Sequence, residues 1–147
     1  MLRHSIPQFD SYQICASLFT DVENTRELRT EVASMPFAMI DASCIGSLEQ
    51  LFCAVYKAIL ESTYNRLRTK NLNSECILSL SPTSNIGEAF KRFGIKEDSK
   101  DILCLTVVNN TESIPDTLFD DVKGQQIELS DENLESRINL DLIKKVR

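Results

Sequence analysis

The chain lacks the residue patterns that mark most enzymes and metal proteins. It has one histidine, four glycines and no glycine-rich phosphate loop. Its five cysteines form no C-x-x-C pair, so the paired ligands of a structural zinc site are missing. A single histidine leaves no Ser or Cys triad for a general base to complete. We therefore predict a protein that is not an enzyme, with no catalytic residue, no cofactor and no metal site.

Long apolar runs are also absent. Nothing in Met1–Pro7 resembles the apolar core of a signal peptide, and no segment approaches the ~20 apolar residues of a transmembrane helix. The odd number of cysteines argues against a secreted disulfide framework. We expect a protein of the nucleus and cytoplasm with no membrane contact, whose cysteines are reduced and buried. The cysteines are Cys15, Cys44, Cys53, Cys76 and Cys104.

The length and the charge describe one acidic domain. A chain of 147 residues has the usual size of a single domain, which we predict over residues 1–147. The net charge of −6 comes from Glu97–Arg147, which has six basic and twelve acidic residues, whereas Met1–Lys96 has ten of each. An acidic protein is not by default a nucleic-acid binder, although a local basic patch could still be one.

Helical and strand patterns alternate irregularly along the chain. Strand formers predict strands over Tyr12–Phe19, Glu75–Leu80, Asp101–Val108 and Gln125–Leu129, with Phe37–Ile40 as either a short strand or a buried connection. Helical spacing predicts helices after Asn24, over Ser47–Thr69, after Asn85 and over Asp131–Lys145. This order favours an α+β fold, with helices packed on a small mixed, mostly antiparallel sheet. An α/β open parallel sheet is the alternative.

Capping signals bound the two short helices. Asn24 and Asn85 are each followed three residues later by a glutamate, which is the spacing of a capping box. Gly94 follows the second helix, and we predict that it takes the left-handed conformation of a Schellman motif. Ile95 would then fold back on Phe90.

A basic cluster near the end of the longest helix is the first candidate binding site. Lysine and arginine side chains supply phosphate contacts, and aromatic and amide side chains stack on or hydrogen-bond unpaired bases. The alternative is an ordinary charged helix face, with Arg66 capping backbone carbonyls. Between Lys57 and Lys70 the local charge is +3, because Glu61 is the one acid. The candidate residues are Lys57, Arg66, Arg68, Lys70 and Asn73, with Tyr64 in the same stripe.

The last helix is the second candidate, as a docking surface for a protein partner. Its apolar side chains recur at helical spacing near the end of the chain, and such a stripe can bind a partner. The alternative is that it packs on the core of its own domain. The candidate residues are Leu134, Ile138, Leu142 and Ile143.

A long segment, TYNRLRTKNLNSECILSLSPTSNIGEAFKRFGI from Thr63 to Ile95, carries a family resemblance. Its signature includes Glu75, the run S-P-T-S-N-I and the pair Gly94-Ile95. The segments SIPQF, SLFTDVENTRELR and KGQQIELSDENL also fit. Together they closely resemble the TPRKB-like, PRPK-binding (CGI-121) family, the kinase-associated small subunits of the KEOPS/EKC complex.

The resemblance implies a non-catalytic subunit. Such a subunit binds and activates the small atypical kinase/ATPase of the complex, which connects it to the other subunits. It also contacts the tRNA that receives a threonylcarbamoyl group on adenosine 37. The family is further linked to telomere maintenance and transcription. The basic cluster would be the tRNA face, and the last helix our best kinase-binding site. Family members usually continue beyond the position of Arg147 with another apolar helix, so the domain is expected to lack it. The alternative is an autonomous protein–protein interaction module with no RNA contact.

Overall fold

A computed structural model describes eight segments of the chain. They are residues 2–6, 9–31, 37–67, 69, 72–81, 85–96, 99–109 and 118–135. The elements in chain order are β1 (Leu2–Ile6), β2 (Phe9–Thr20), α1 (Thr25–Glu31), β3 (Ala38–Asp41), α2 (Leu48–Thr63), α3 (Leu72–Leu80), α4 (Ile86–Phe93), β4 (Ile102–Asn109), β5 (Gln125–Ile127) and α5 (Asp131–Glu135). A 3-10 turn over Ala42–Cys44 follows β3.

The strands form one sheet in the order β1-β2-β4-β3, with β5 also paired to β2. Strand β1 pairs with residues 9–16 of β2, and β5 pairs with Leu18–Thr20, so β1 and β5 follow one another along the same edge of β2. Strand β4 lies between β2 and β3. Every pairing between the described strands is antiparallel. The fold is therefore α+β, and the open parallel sheet is the wrong alternative.

Both faces of the sheet are covered. Side chains along each strand alternate between the two faces, so each face contributes to its own cluster. On one face, Ile14, Leu18 and Leu105 pack with buried residues of α2, α3, α4 and α5. The other face carries Phe19 and Met39 among others, and it packs against α1 and the turn that contains Phe119. The Phe119 ring meets Phe19 and Phe37 edge to face, with centroids 6.5 Å and 4.9 Å away. The sheet is thus the middle of three layers.

The strongest strand patterns are confirmed. Strand β2 includes the whole of Tyr12–Phe19, and the apolar run Phe37–Ile40 forms β3 rather than a connection. Strand β4 is interior to the sheet, and its residues Ile102–Val107 are all buried. Strand β5 ends two residues earlier than predicted, at Ile127.

The strand predicted over Glu75–Leu80 is wrong, because this segment belongs to helix α3. Four consecutive residues, Glu75–Leu78, are buried. The helix packs against α2, α4 and the sheet at once, so apolar side chains cover most of its circumference. A short apolar run of this kind has no periodicity that separates a strand from a buried helix.

The longest helix ends at Thr63, six residues before the predicted end. Asn65 takes a left-handed conformation with φ 57°. Its N–H donates to the carbonyl of Ser62 at 3.0 Å, and the next N–H, of Arg66, donates to that of Glu61 at 2.8 Å. These are the two hydrogen bonds of a Schellman motif, here built on asparagine. The predicted start is confirmed, since the Ser47 hydroxyl accepts from the N–H of Gln50 at 3.1 Å.

The predicted Schellman motif at Gly94 is wrong. Gly94 has φ −69° and ψ 163°, an extended conformation, and it forms a bridge to Ile40 in β3. Glycine is required there for another reason, because a Cβ at this position would lie 2.5 Å from the carbonyl oxygen of Phe90. Ile95 packs on the opposite face of the sheet from Phe90. The cap at Asn85 is confirmed, since its Oδ1 accepts from the N–H of Glu88 at 3.0 Å.

Asn24 precedes α1, but its side chain has a different partner from the one predicted. Its Oδ1 accepts from the N–H of Lys123 at 2.9 Å, and its Nδ2 donates to the carbonyl of Asp121 at 2.8 Å. The side chain therefore fixes the turn before β5 against the start of α1. Because these partners are almost one hundred residues away, local spacing gave no sign of them.

The prediction that all five cysteines are buried needs one correction. All five are free thiols, but Cys53 is exposed. It follows the buried Leu51 by two residues, which at about 100° per residue places it on the outer side of α2. Burial raises the pKa of the Cys76 thiol to about 12, with the nearby Glu75 carboxylate adding to the effect, and burial also raises the pKa of Cys104.

Candidate nucleic-acid interface

The candidate cationic residues lie at the end of α2 and in the segment that connects it to α3. Residues 64–71 join α2 to α3, and we call the described part of this segment, residues 64–67 and 69, the α2–α3 connection. Lys57 is exposed on α2, and Arg66 is exposed in the connection, just after the Schellman motif. Arg68 and Lys70 lie outside the described residues. The turn at Asn65 ends the helix before Arg66.

Arg66 is oriented by two neighbours and remains accessible. Its Nη2 lies 3.2 Å from Oε1 of Glu61, and its Cζ lies 5.0 Å from the centroid of the Tyr64 ring. The Arg66 side chain is still 57% exposed. An ion pair in that setting contributes at most about 1 kcal/mol. Among the described residues, the guanidinium therefore has a defined position but no strong partner, which suits it to bind an external anion.

Exposed apolar and aromatic side chains accompany these cations. Tyr64 is 63% exposed, and Tyr56 and Leu67 are also exposed. An exposed tyrosine ring offers a flat surface on which an unpaired base can stack. Large exposed rings also occur in protein–protein interfaces. This part of the surface thus combines positive charge with apolar area.

Asn73 has a structural role in the first turn of α3. Strand β3 pairs with β4 over Ile102–Leu105. Just beyond, Oδ1 of Asn73 accepts from the N–H of Val107 at 3.1 Å and from the hydroxyl of Thr106 at 3.4 Å. The side-chain oxygen thus joins the start of α3 to the edge of the sheet, and a tRNA contact by Asn73 stays a prediction.

Glu75 is a site residue whose role the sequence reasoning missed. Its side chain is completely buried in α3. Its Oε2 accepts two hydrogen bonds from Thr69, one from the backbone N–H at 3.2 Å and one from the hydroxyl at 2.9 Å. The available signal was an acid within an apolar run, because carboxylates are almost never fully buried without partners. Reading the segment as a strand concealed its relation to the preceding loop.

Helix α5 begins at Asp131, as predicted, and its buried side chain Leu134 faces the core of the domain. The N–H of Leu48 donates to Oδ1 of Asp131 at 2.8 Å, which joins the starts of α2 and α5. Leu134 is completely buried in the core beneath the helices. Leu134 therefore packs on its own domain, as in the alternative given for this helix, rather than on a partner. The other three candidates, Ile138, Leu142 and Ile143, lie outside the described residues.

A second buried cluster has a structural explanation. Oδ2 of Asp41 accepts from Nζ of Lys96 at 3.2 Å and from the hydroxyl of Ser99 at 3.1 Å. Oδ1 accepts from the N–H and hydroxyl of Ser43, at 3.0 Å and 2.7 Å. The carboxylate thereby joins the end of β3 to the segment before β4. Burial and this carboxylate raise the pKa of the Cys44 thiol, so Cys44 is not an activated nucleophile.

Two features are absent from the described part of the chain. No three or more His, Cys, Asp and Glu side chains there are grouped so that they could hold a metal ion. Among the helices of the same segments, none has the length and apolar character needed to cross a membrane.

Comparison with known proteins returned one family and several close relatives. The sequence model of the family described as "Kinase binding protein CGI-121" matches residues 19–146. The EKC/KEOPS complex subunit CGI121 of Kluyveromyces lactis is 44% identical over 99% of this chain and 93% of its own length. The subunit of the same name from Candida glabrata is 42% identical, over 99% and 83%. The EKC/KEOPS complex subunit TPRKB of Danio rerio is 35% identical, over 87% and 75%.

Proposed function

The chain belongs to the kinase binding protein CGI-121 family, and on this premise we propose that it is a non-catalytic subunit of an EKC/KEOPS complex. In this role it binds and activates the small atypical kinase/ATPase subunit, and through that subunit it joins the rest of the complex. It also helps to bind tRNA for threonylcarbamoylation of adenosine 37. The proposal is supported by relatives that carry the name of such a subunit and align with nearly the whole chain.

The tRNA role is supported by one structural observation above all. Arg66 is exposed, oriented by Glu61 and stacked over Tyr64, directly after a turn that ends α2. This places a cation and an accessible ring side by side, and such a pair can contact a phosphate and an unpaired base. Lys57 adds positive charge on α2. We extend the site to Arg68 and Lys70 from their position in the sequence and to Asn73 at the start of α3.

The kinase role is supported by the family description and by the apolar pattern of the last helix. Since Leu134 is buried in the chain's own core, we assign the kinase contact to Ile138, Leu142 and Ile143. The proposal also includes a location in nucleus and cytoplasm and the family's links to telomere maintenance and transcription. Five free thiols fit a reducing compartment.

A second candidate function is an autonomous protein-interaction module without RNA contact. It is favoured by the exposed area of Tyr56, Tyr64 and Leu67, since aromatic residues are enriched in protein interfaces. The two functions differ in what the cations do. A protein interface of this kind has no need of a salt-dependent affinity for RNA.

A matched charge reversal separates the two functions. The test variant is Lys57→Glu with Arg66→Glu, and the control is Lys100→Glu with Lys123→Glu. The control pair is also exposed but lies near α1, away from α2. The probe is the fluorescence anisotropy of a labelled tRNA transcript that reads codons beginning with A, titrated at several salt concentrations.

If the proposal holds, the test variant loses at least about tenfold in affinity. Its salt slope also becomes shallower by ~0.7–0.9 for each lost phosphate contact. The control, with the same change in net charge, should lose much less. Equal losses in the two variants would mean that binding follows net charge alone, and no measurable binding by the unaltered chain would favour the interaction module.

A further inference from the structure

The buried carboxylate of Glu75 is joined to the surface segment that carries the candidate cations. Thr69, in the α2–α3 connection, donates both its N–H and its hydroxyl to Oε2 of Glu75. A hydrogen bond to a charged acceptor is roughly twice as strong as one between neutral groups. The complete burial of Glu75 keeps water from competing for these donors. The contact is therefore a firm attachment of the connection to α3.

The helix that carries Glu75 is itself attached to the sheet. Two residues earlier in α3, the Asn73 side chain accepts from Val107 and Thr106 of β4. Four consecutive α3 residues, starting with Glu75, are buried. Hydrogen bonds thus connect β4 to α3 and α3 to Thr69, so the position of Thr69 is fixed relative to the sheet.

The other end of the connection is fixed by the Schellman motif. The N–H of Arg66 donates to the carbonyl of Glu61, at the end of α2. Arg66 and Leu67 therefore lie between two attachment points, one on α2 and one on α3.

We propose that Glu75 is a positioning residue for RNA binding, which fixes the α2–α3 connection so that Arg66 and Tyr64 meet the RNA in one arrangement. The inference rests on the proposed tRNA role of these residues. Glu75 does not touch RNA in this account, because it is buried. Its carboxylate accepts from Thr69 and holds that residue in place. Binding then costs less ordering free energy, because the cation is already in position.

For Glu75→Gln, positioning and electrostatics predict changes in RNA affinity of opposite sign. Glu75→Gln removes a negative charge from the neighbourhood of a cationic site, and electrostatics alone would then predict tighter RNA binding. Positioning predicts the opposite, a loss on the order of fivefold, the scale of one displaced phosphate contact. The salt slope should also become shallower by ~0.7–0.9. A purely structural role for Glu75 would lower thermal stability but leave the salt slope of the folded protein unchanged.

Thr69 supplies a test that leaves the charge in place. Thr69→Val has nearly the same shape but no hydroxyl, whereas Thr69→Ser keeps the hydroxyl. We expect Thr69→Val to weaken binding of the same tRNA transcript and to make the salt slope shallower, and Thr69→Ser to restore both. Glu27→Gln, at an exposed acid on α1, is the control for the loss of one negative charge. All variants are compared well below their midpoints of thermal unfolding, in the full chain.

The outcomes separate this inference from the proposed function. If the unaltered chain binds the transcript but Glu75→Gln and Thr69→Val bind equally well or more tightly, positioning by Glu75 is wrong and the tRNA role stands. If the unaltered chain does not bind, the tRNA role and this inference both fail. If Glu75→Gln does not fold, the Thr69→Val and Thr69→Ser pair decides, and equal affinities in that pair would overturn the inference.

Discussion

Arg66 and Glu61 are joined twice, once through the backbone and once through their side chains. The N–H of Arg66 donates to the Glu61 carbonyl at 2.8 Å, and its guanidinium lies 3.2 Å from the Glu61 carboxylate. The first contact ends α2, and the second orients the cation beside Tyr64. A single local motif thus terminates a helix and presents a candidate ligand-binding group.

This motif depends on the left-handed conformation of Asn65. A left-handed backbone costs an ordinary residue roughly 1–2 kcal/mol, which glycine avoids. We expect Asn65→Val to lower the free energy of unfolding by about that amount and Asn65→Gly to leave it nearly unchanged. Urea unfolding monitored by circular dichroism would measure both. Similar losses in the two variants would show that the Asn65 side chain, not its backbone conformation, is what matters.

Under the proposed tRNA role, Glu61 and RNA compete for Arg66. In Glu61→Gln the amide oxygen can still accept from Nη2 of Arg66 and orient it, but the competing negative charge is gone. We therefore expect the affinity for the tRNA transcript to rise about twofold, while stability falls by less than about 1 kcal/mol. Glu75→Gln, by contrast, should lower the affinity for the transcript. Anisotropy titrations of the two variants side by side would therefore distinguish a competing acid from a positioning acid. A loss of affinity in Glu61→Gln would mean that the ion pair is needed to orient Arg66.

The two glycines of helix α4 and its end should respond differently to alanine. A Cβ on Gly94 would lie 2.5 Å from the Phe90 carbonyl oxygen, so Gly94→Ala should cost about 1–3 kcal/mol through local overpacking. Gly87 is exposed, and a Cβ there would be 3.5 Å from its nearest neighbour, Oδ1 of Asn85. Gly87→Ala should stabilise by about 0.4–1 kcal/mol. Thermal or urea unfolding checks both, and a harmless Gly94→Ala would contradict the close approach.

The strands and caps were predictable where the signal was local. Strand β2 has a long run of strand formers, and the Asn85 cap needs only the three residues after it. Helix α3 was not predictable, because its burial depends on α2, α4 and the sheet together. The Glu75–Thr69 contact crosses the start of that helix, so the misassigned segment concealed it. The Asn24 contact with Lys123 joins residues far apart in the chain, and a single sequence carries no record of it.

Cysteine reactivity tests the burial pattern in solution. Cys53 is exposed and the other four thiols are buried, so a neutral thiol reagent should label one cysteine quickly and four slowly. In Cys53→Ser the fast phase should disappear, because the remaining thiols become accessible only when the structure opens. Adding denaturant should expose all five in the unaltered chain. A fast phase of two or more thiols would mean that the layers around the sheet are more open than described.

Binding to the kinase subunit tests the central claim most directly. The 147-residue chain would be co-expressed with the small atypical kinase subunit of the EKC/KEOPS complex from the same organism, and the pair analysed by size-exclusion chromatography with light scattering. The account predicts a stable complex of the two chains, which Ile138→Asp with Leu142→Asp should disrupt while the control Glu132→Gln leaves it intact. Separate elution of two folded proteins at micromolar concentration would contradict the assignment of this chain as a kinase-binding subunit.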